Sequence, residues 1–115
     1  MAHFFSQFVS VAPRFTNISG NLNIVANGNN KLRLTCNTDS SNPPSTITWY
    51  INENVTSFTE EISQSVGDYG GRITTNVLEL VPTRDMDGFI VKCMANNVMS
   101  VNNVTSNVTL NLRCK

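Results

Sequence analysis

Apolar residues along this chain recur at every second position in short stretches. Lys31-Leu32-Arg33-Leu34-Thr35-Cys36 puts Leu32, Leu34 and Cys36 on one side, and Thr46-Ile47-Thr48-Trp49-Tyr50-Ile51 does the same with Ile47, Trp49 and Ile51. Phe89, Val91, Cys93 and Ala95 alternate in a third stretch, and Val108, Leu110 and Leu112 in a fourth. A period of two is the strand repeat. Clusters of Gly, Pro, Asn and Asp separate the stretches at residues 27–30, 40–44, 67–71 and 85–88. Strand-length runs punctuated in this way predict an all-β sandwich or barrel. One-sided alternation gives each strand a wet face, which suits antiparallel sheets. No segment sustains a helical period, and no internal repeat occurs.

Composition narrows the class. A length of 115 residues makes one domain with one core. Eight basic and eight acidic side chains cancel, and no basic cluster exists, which excludes a phosphate-backbone binder and hence nucleic acid as partner. Only 14% of residues are charged, so solubility rests on 17 Asn, 12 Thr and 11 Ser. No apolar run is long enough to span a membrane as a helix. Residues 1–12 contain Phe4, Phe5, Phe8 and Val9, but Ser6 and Gln7 interrupt them and no basic residue leads. That is a poor secretory signal. The segment reads as an N-terminal extension, or one added for expression, on a piece of a longer chain, with the domain over residues 13–115.

Cys36 and Cys93 stand at inward positions of two strong strands, 57 residues apart, and Trp49 is inward on the strand after Cys36. This Cys…Trp…Cys order resembles the immunoglobulin superfamily over residues 13–112. The stretch from Leu78-Glu79-Leu80 through Asp87-Gly88, with Cys93-Met94-Ala95-Asn96-Asn97, looks more like the second constant-type domains of nectin-like and nephrin-like adhesion receptors. The family often carries Tyr two residues before the second cysteine; here that residue is Val91, which argues against an antibody-like variable domain. The resemblance implies a two-sheet antiparallel sandwich, one inter-sheet disulfide between Cys36 and Cys93, and Trp49 packed beside it. The residues alone also allow an unrelated β-domain with two buried thiols. Cys114, beyond the last strand, is expected to join neither, and is left for a neighbouring domain, another molecule or no partner.

A structural disulfide implies an extracellular, cell-surface or secreted address. Acceptor sequons occur at Asn17, Asn54, Asn103 and Asn107. Their number is uninformative, since so Asn-, Ser- and Thr-rich a chain makes about three by chance. Their placement says more: Asn107 alternates with Val108 and Leu110 and points to solvent, and the others fall in turns or at strand ends. A glycan on Asn107 is expected to shield Tyr50, Lys92 and Met94.

Catalytic chemistry is thin. His3 is the sole histidine and lies outside the strand pattern, so a Ser-His-Asp or Cys-His site has no base. The cysteines and one histidine make no zinc set, Gly70-Gly71 opens no helix to cradle phosphate, and no cofactor is implied. Glu60-Glu61 reads as a solvated edge rather than an acid–base pair. Asp85 and Asp87 read as turn caps rather than calcium ligands, with Arg72 or Arg84 as expected ion-pair partners. No catalytic or metal role is assigned. Binding is the remaining class. Tyr50, Ile90 and Met94 face outward on one sheet, and Val98, Met99 and Val101 sit on a loop at a sandwich tip. The resemblance implies an adhesion or recognition receptor whose parent chain is membrane-anchored and whose partner is another cell-surface or secreted protein, a second copy included. The alternatives are a spacer domain in a multidomain ectodomain and a cytosolic sarcomere-type domain with free thiols.

Overall fold

The computed structural model describes residues 10–26, 31–56 and 58–113, with the side chains of Asn23 and Thr59 excepted. His3, the N-terminal phenylalanines, the turn at 27–30 and Cys114 lie outside the described residues. Among the described residues ten strands follow one another: β1 (Thr16–Gly20), β2 (Asn23–Val25), β3 (Leu32–Thr38), β4 (Thr46–Ile51), β5 (Asn54–Val55), β6 (Thr59–Val66), β7 (Arg72–Leu80), β8 (Ile90–Asn96), β9 (Val104–Thr109) and β10 (Asn111–Arg113). Eight of them form two four-stranded antiparallel sheets, β1-β3-β7-β6 and β5-β4-β8-β9, packed face to face, and β2 and β10 make a separate parallel pair. Short 3₁₀ turns occupy Asp68–Gly70 and Arg84–Met86.

Period-two alternation in the sequence becomes alternating burial in the strands. β3 buries Leu32, Leu34 and Cys36, β4 buries Ile47, Trp49 and Ile51, and β8 buries Val91, Cys93 and Ala95. At roughly 25 cal/mol per Å², this shared apolar layer is the main force holding the sheets together. The gap between the sheets is not uniform. Its lower half, around Leu32, Leu80, Met86 and Leu112, is apolar. Its upper half is polar: Ser41 and Ser45 share a hydroxyl hydrogen bond of 2.6 Å, and the Thr74 N–H donates to Thr38 Oγ1 at 3.1 Å, while the buried Thr74 hydroxyl itself has no partner among the described residues.

Three expectations change. The last apolar stretch is not one strand: β9 begins at Val104, the chain breaks step at Leu110, and β10 leaves to pair in parallel with β2. At the break the Leu110 N–H donates to the Phe89 carbonyl at 2.9 Å and the Leu110 carbonyl accepts the Gly88 N–H at 3.0 Å, so two residues ahead of β8 stand opposite one and the regular ladder ends there. Asn17, expected in a turn or at a strand end, is the second residue of β1, inside the strand and on its exposed side. The third change is at the base, where the ion pairs of the described residues lie elsewhere than between Arg72 or Arg84 and the two aspartates. Asp87 Oδ1 instead accepts the Leu112 N–H at 2.8 Å, and Asp85 takes the Thr83 hydroxyl. The buried Leu112 of β10 needs an acceptor for its backbone N–H, and the Asp87 carboxylate supplies it.

β6 carries no alternation signal, because it is exposed on both faces. It exists by pairing with β7, residue for residue, from Thr59↔Glu79 to Val66↔Arg72.

Candidate functional site

Two surfaces gather the residues singled out for binding. The first is the outer face of β5-β4-β8-β9. Register places Tyr50, Lys92 and Asn107 in one row across β4, β8 and β9, and Thr48, Met94 and Thr105 in the next. Lys92 Nζ lies 4.7 Å from the centre of the Tyr50 ring, a cation–π contact that holds both side chains flat against the sheet. Tyr50 and Met94 are therefore half-buried rather than freely exposed, while Ile90 stands half in solvent at the lower end. Lys92 sits between Ile90 and Met94 on β8, so the three apolar side chains do not make one continuous patch. Asn107 is exposed beside Lys92, at the separation of a directly opposed pair.

The second surface is the tip formed by residues 97–103, between β8 and β9. Its frame is Asn97. The Asn97 Nδ2 group donates to the Val11 carbonyl and to the Pro43 carbonyl, both at 2.9 Å, and its Oδ1 accepts the Met99 N–H at 2.9 Å. The Asn97 N–H donates to Ser100 Oγ at 3.0 Å, and the Ser100 N–H returns to the Asn97 carbonyl at 3.0 Å. Asn96 Nδ2 closes the loop by donating to Asn103 Oδ1 at 2.9 Å. One amide thus ties together the N-terminal lead, the β3–β4 loop and the tip. On this frame Val98 and Val101 are 85% and 94% exposed, with Met99 exposed between them. Apolar side chains on a pinned loop are ordered before any partner arrives, which lowers the entropic cost of association.

The same end holds a groove of about 540 Å³ between Val11, Phe15, Ser40, Tyr69 and Ile73, which sequence reasoning did not find. Tyr69 lies in the left-handed region at φ 56°, unusual for an aromatic residue, and is exposed. Asp39, buried beneath the groove, is committed to structure: its carboxylate accepts the Arg14 N–H at 2.8 Å and Arg14 Nε at 3.0 Å.

Electrostatics elsewhere serve the scaffold. On the outer face of β1-β3-β7-β6, Arg33 Nη1 lies 2.9 Å from Glu79 Oε2 and 3.3 Å from Glu61 Oε1, and Lys31 lies 3.4 Å from Glu79. The hydrogen bond from Arg33, then that from Lys31, holds the Glu79 carboxyl below the usual carboxylate range. Among the described residues no three His, Cys, Asp or Glu side chains gather in a metal-binding group. Of the remaining sequons, Asn54 opens β5 and Asn103 lies in the tip loop, both exposed.

Cys36 and Cys93 form the disulfide, with Cα atoms 6.4 Å apart. A second cross-sheet link, absent from the sequence pattern, runs beside it. Asn76 is fully buried on β7, where it pairs with Cys36, just as Trp49 on β4 pairs with Cys93. The one usable signal was parity: Asn76 is two residues before Leu78, hence inward, and a buried indole N–H needs an acceptor.

A family model described as the CD80-like C2-set immunoglobulin domain matches residues 16–112. No curated protein matches the chain. Among solved structures, the crystal structure of Rst D1-D2 superposes with a TM-score of 0.77 at 20% identity, over 88% of this chain and 49% of that one. The full ectodomain (Ig1-Ig3) of mouse nectin-like molecule 4 gives 0.73 at 19% identity, over 90% of this chain and 35% of that one. Bovine butyrophilin gives 0.66 at 13% identity, over 84% and 43%. The chain spans half or less of each, and at these identities the likeness is one of fold. With the family model covering nearly the whole sandwich, the chain belongs to the CD80-like C2-set immunoglobulin domains.

Proposed function

We propose that this chain is an extracellular domain of a membrane-anchored adhesion or recognition receptor, and that it works by binding another cell-surface or secreted protein through the tip at residues 97–103. The observation that carries this reading is the Asn97 frame, which presents Val98, Met99 and Val101 to solvent on a preorganised loop. The Cys36–Cys93 disulfide supports an oxidising compartment over the cytosolic, sarcomere-type alternative. No enzymatic activity and no cofactor are assigned.

The sheet face is the second contender, and an occupied Asn107 weighs against it more directly than Asn103, four residues past Met99, weighs against the tip. A glycan there stands in the row of Lys92 and Tyr50 and covers the approach to Met94. Asn17, Asn54 and Asn103 are further acceptors on exposed positions.

Two measurements test the reading. Glycopeptide mass spectrometry on protein secreted from a eukaryotic host is expected to find Asn107 occupied. Multimerised domain is then titrated on intact cells, comparing wild type with Met99→Arg and Met94→Arg. Loss with Met99→Arg alone supports the tip. Loss with Met94→Arg alone moves the interface to the sheet face, equal binding of wild type and both variants moves it to a third surface, and no binding by wild type leaves the domain as a spacer.

A further inference from the structure

β6 is eight residues long, yet it has a neighbour on one side only. Other sheet edges among the described residues are closed or short. β1 is covered by β9, whose Ser106 Oγ donates to the Thr16 carbonyl at 2.8 Å, and β5 has two residues. An edge strand presents a row of backbone donors and acceptors to any strand that can pair with it. Proteins blunt such edges with proline, lysine or a bulge. β6 has neither residue, and its one-to-one register with β7 leaves no bulge.

Its side chains add to the exposure. Glu60, Ile62, Gln64 and Val66 share the face of Asn76 and Thr74, which looks toward the opposite sheet. That sheet ends in the two residues of β5 and does not reach them. Ile62 and Val66 are consequently 67% and 77% exposed, and Phe58, just before β6, is partly exposed. Glu60 is the one inward-pointing charge, a feature that discourages edge pairing. It is drawn aside by Asn76 Nδ2, which donates to its Oε1 at 2.8 Å.

We propose that β6 is a docking edge for a second copy of this chain, pairing antiparallel about a two-fold axis at Ile62. The sequence is self-complementary in that register. Ile62 meets Ile62 of the copy, Glu60 meets the Gln64 amide, Glu61 meets Ser63, and Phe58 meets Val66. No carboxylate directly opposes another, and Glu61 is already paired with Arg33 at 3.3 Å. All four sequons lie off β6, on β1, β5, the tip and β9, so the outer edge of the strand itself carries no acceptor. The contact joins two sheets into one of eight strands and is small, so the dimer forms at high local concentration, as between receptors on one membrane. It uses neither the tip nor the outer face bearing Met94.

The test is sedimentation equilibrium of the whole chain carrying Cys114→Ser, from low micromolar to near-millimolar concentration, with cysteine cross-linking. A monomer–dimer equilibrium is expected, and Ile62→Arg, which sets two like charges opposite one another, weakens it by about tenfold or more. Ile62 is exposed, so this change leaves the fold intact, as circular dichroism checks. Ile62→Cys is expected to give a covalent dimer under mild oxidation. Ser65→Cys gives none, because in this register the two Ser65 positions lie about 20 Å apart. A monomer at every concentration, dimerisation unaffected by Ile62→Arg, or equal cross-linking through positions 62 and 65 overturns the proposal. Met99→Arg leaves the dimer unchanged, which separates this surface from the tip.

Discussion

The Trp49 indole Nε1–H donates to Asn76 Oδ1 at 2.9 Å, bridging the two sheets alongside the Cys36–Cys93 disulfide. Both side chains are buried, so neither has water to turn to. Asn76→Leu fills the space and orphans the indole N–H, and is expected to cost about 1–3 kcal/mol in urea unfolding. In a double-mutant cycle with Trp49→Phe, a coupling near zero would show that the bond contributes nothing beyond packing.

The disulfide closes a loop of 57 residues. In the chain-entropy model this is worth about 4 kcal/mol, through restriction of the unfolded chain. The Cys36→Ala/Cys93→Ala variant is expected to lose roughly that amount while keeping its β-sheet circular dichroism, if it folds at the working temperature. A loss below about 1 kcal/mol would mean that the unfolded state is already compact near these residues.

Asn97→Ala removes the side-chain partners of the Val11 and Pro43 carbonyls and of the Met99 N–H. Amide exchange at Met99 and Ser100 is expected to accelerate at least tenfold, with little change at Val91 and Cys93 in the core. If the proposed binding role is right, affinity falls with it although no contact residue has changed. Unaltered exchange in the tip would show that Asn97 is not its frame.

Glu79 sets an acid-side dependence. Its folded-state pKa is lowered, first by the hydrogen bond from Arg33 and then by that from Lys31. Its contribution to stability is therefore present above the ordinary glutamate range and is lost as pH falls through the lowered value. Urea midpoints followed across acid pH are expected to fall less steeply for Glu79→Gln than for wild type. Because the cluster is exposed, added salt should narrow the difference. Parallel curves at low salt would remove Glu79 from the account.

Period two is a local property of extended chain, since successive side chains must point to opposite faces. The inward positions of Leu32, Leu34, Cys36, Trp49, Val91 and Cys93 are therefore legible in the order of residues, and so is the sandwich they enclose. The outward positions of Asn107 and Ile90 follow from the same rule. Everything that depends on which strand lies beside which was decided by the tertiary structure. β6 has no inward apolar pattern to read, because nothing covers it, and only β7 makes it a strand. The step at Leu110 occurs where Gly88 and Phe89, more than 20 residues away in sequence, both face it across the ladder. Asn76 meets Trp49 across 27 residues, and Asn97 reaches Val11 across 86 and Pro43 across 54. A polar side chain's partner is chosen by proximity after folding. Parity along the chain tells which way such a residue points, but not what waits there.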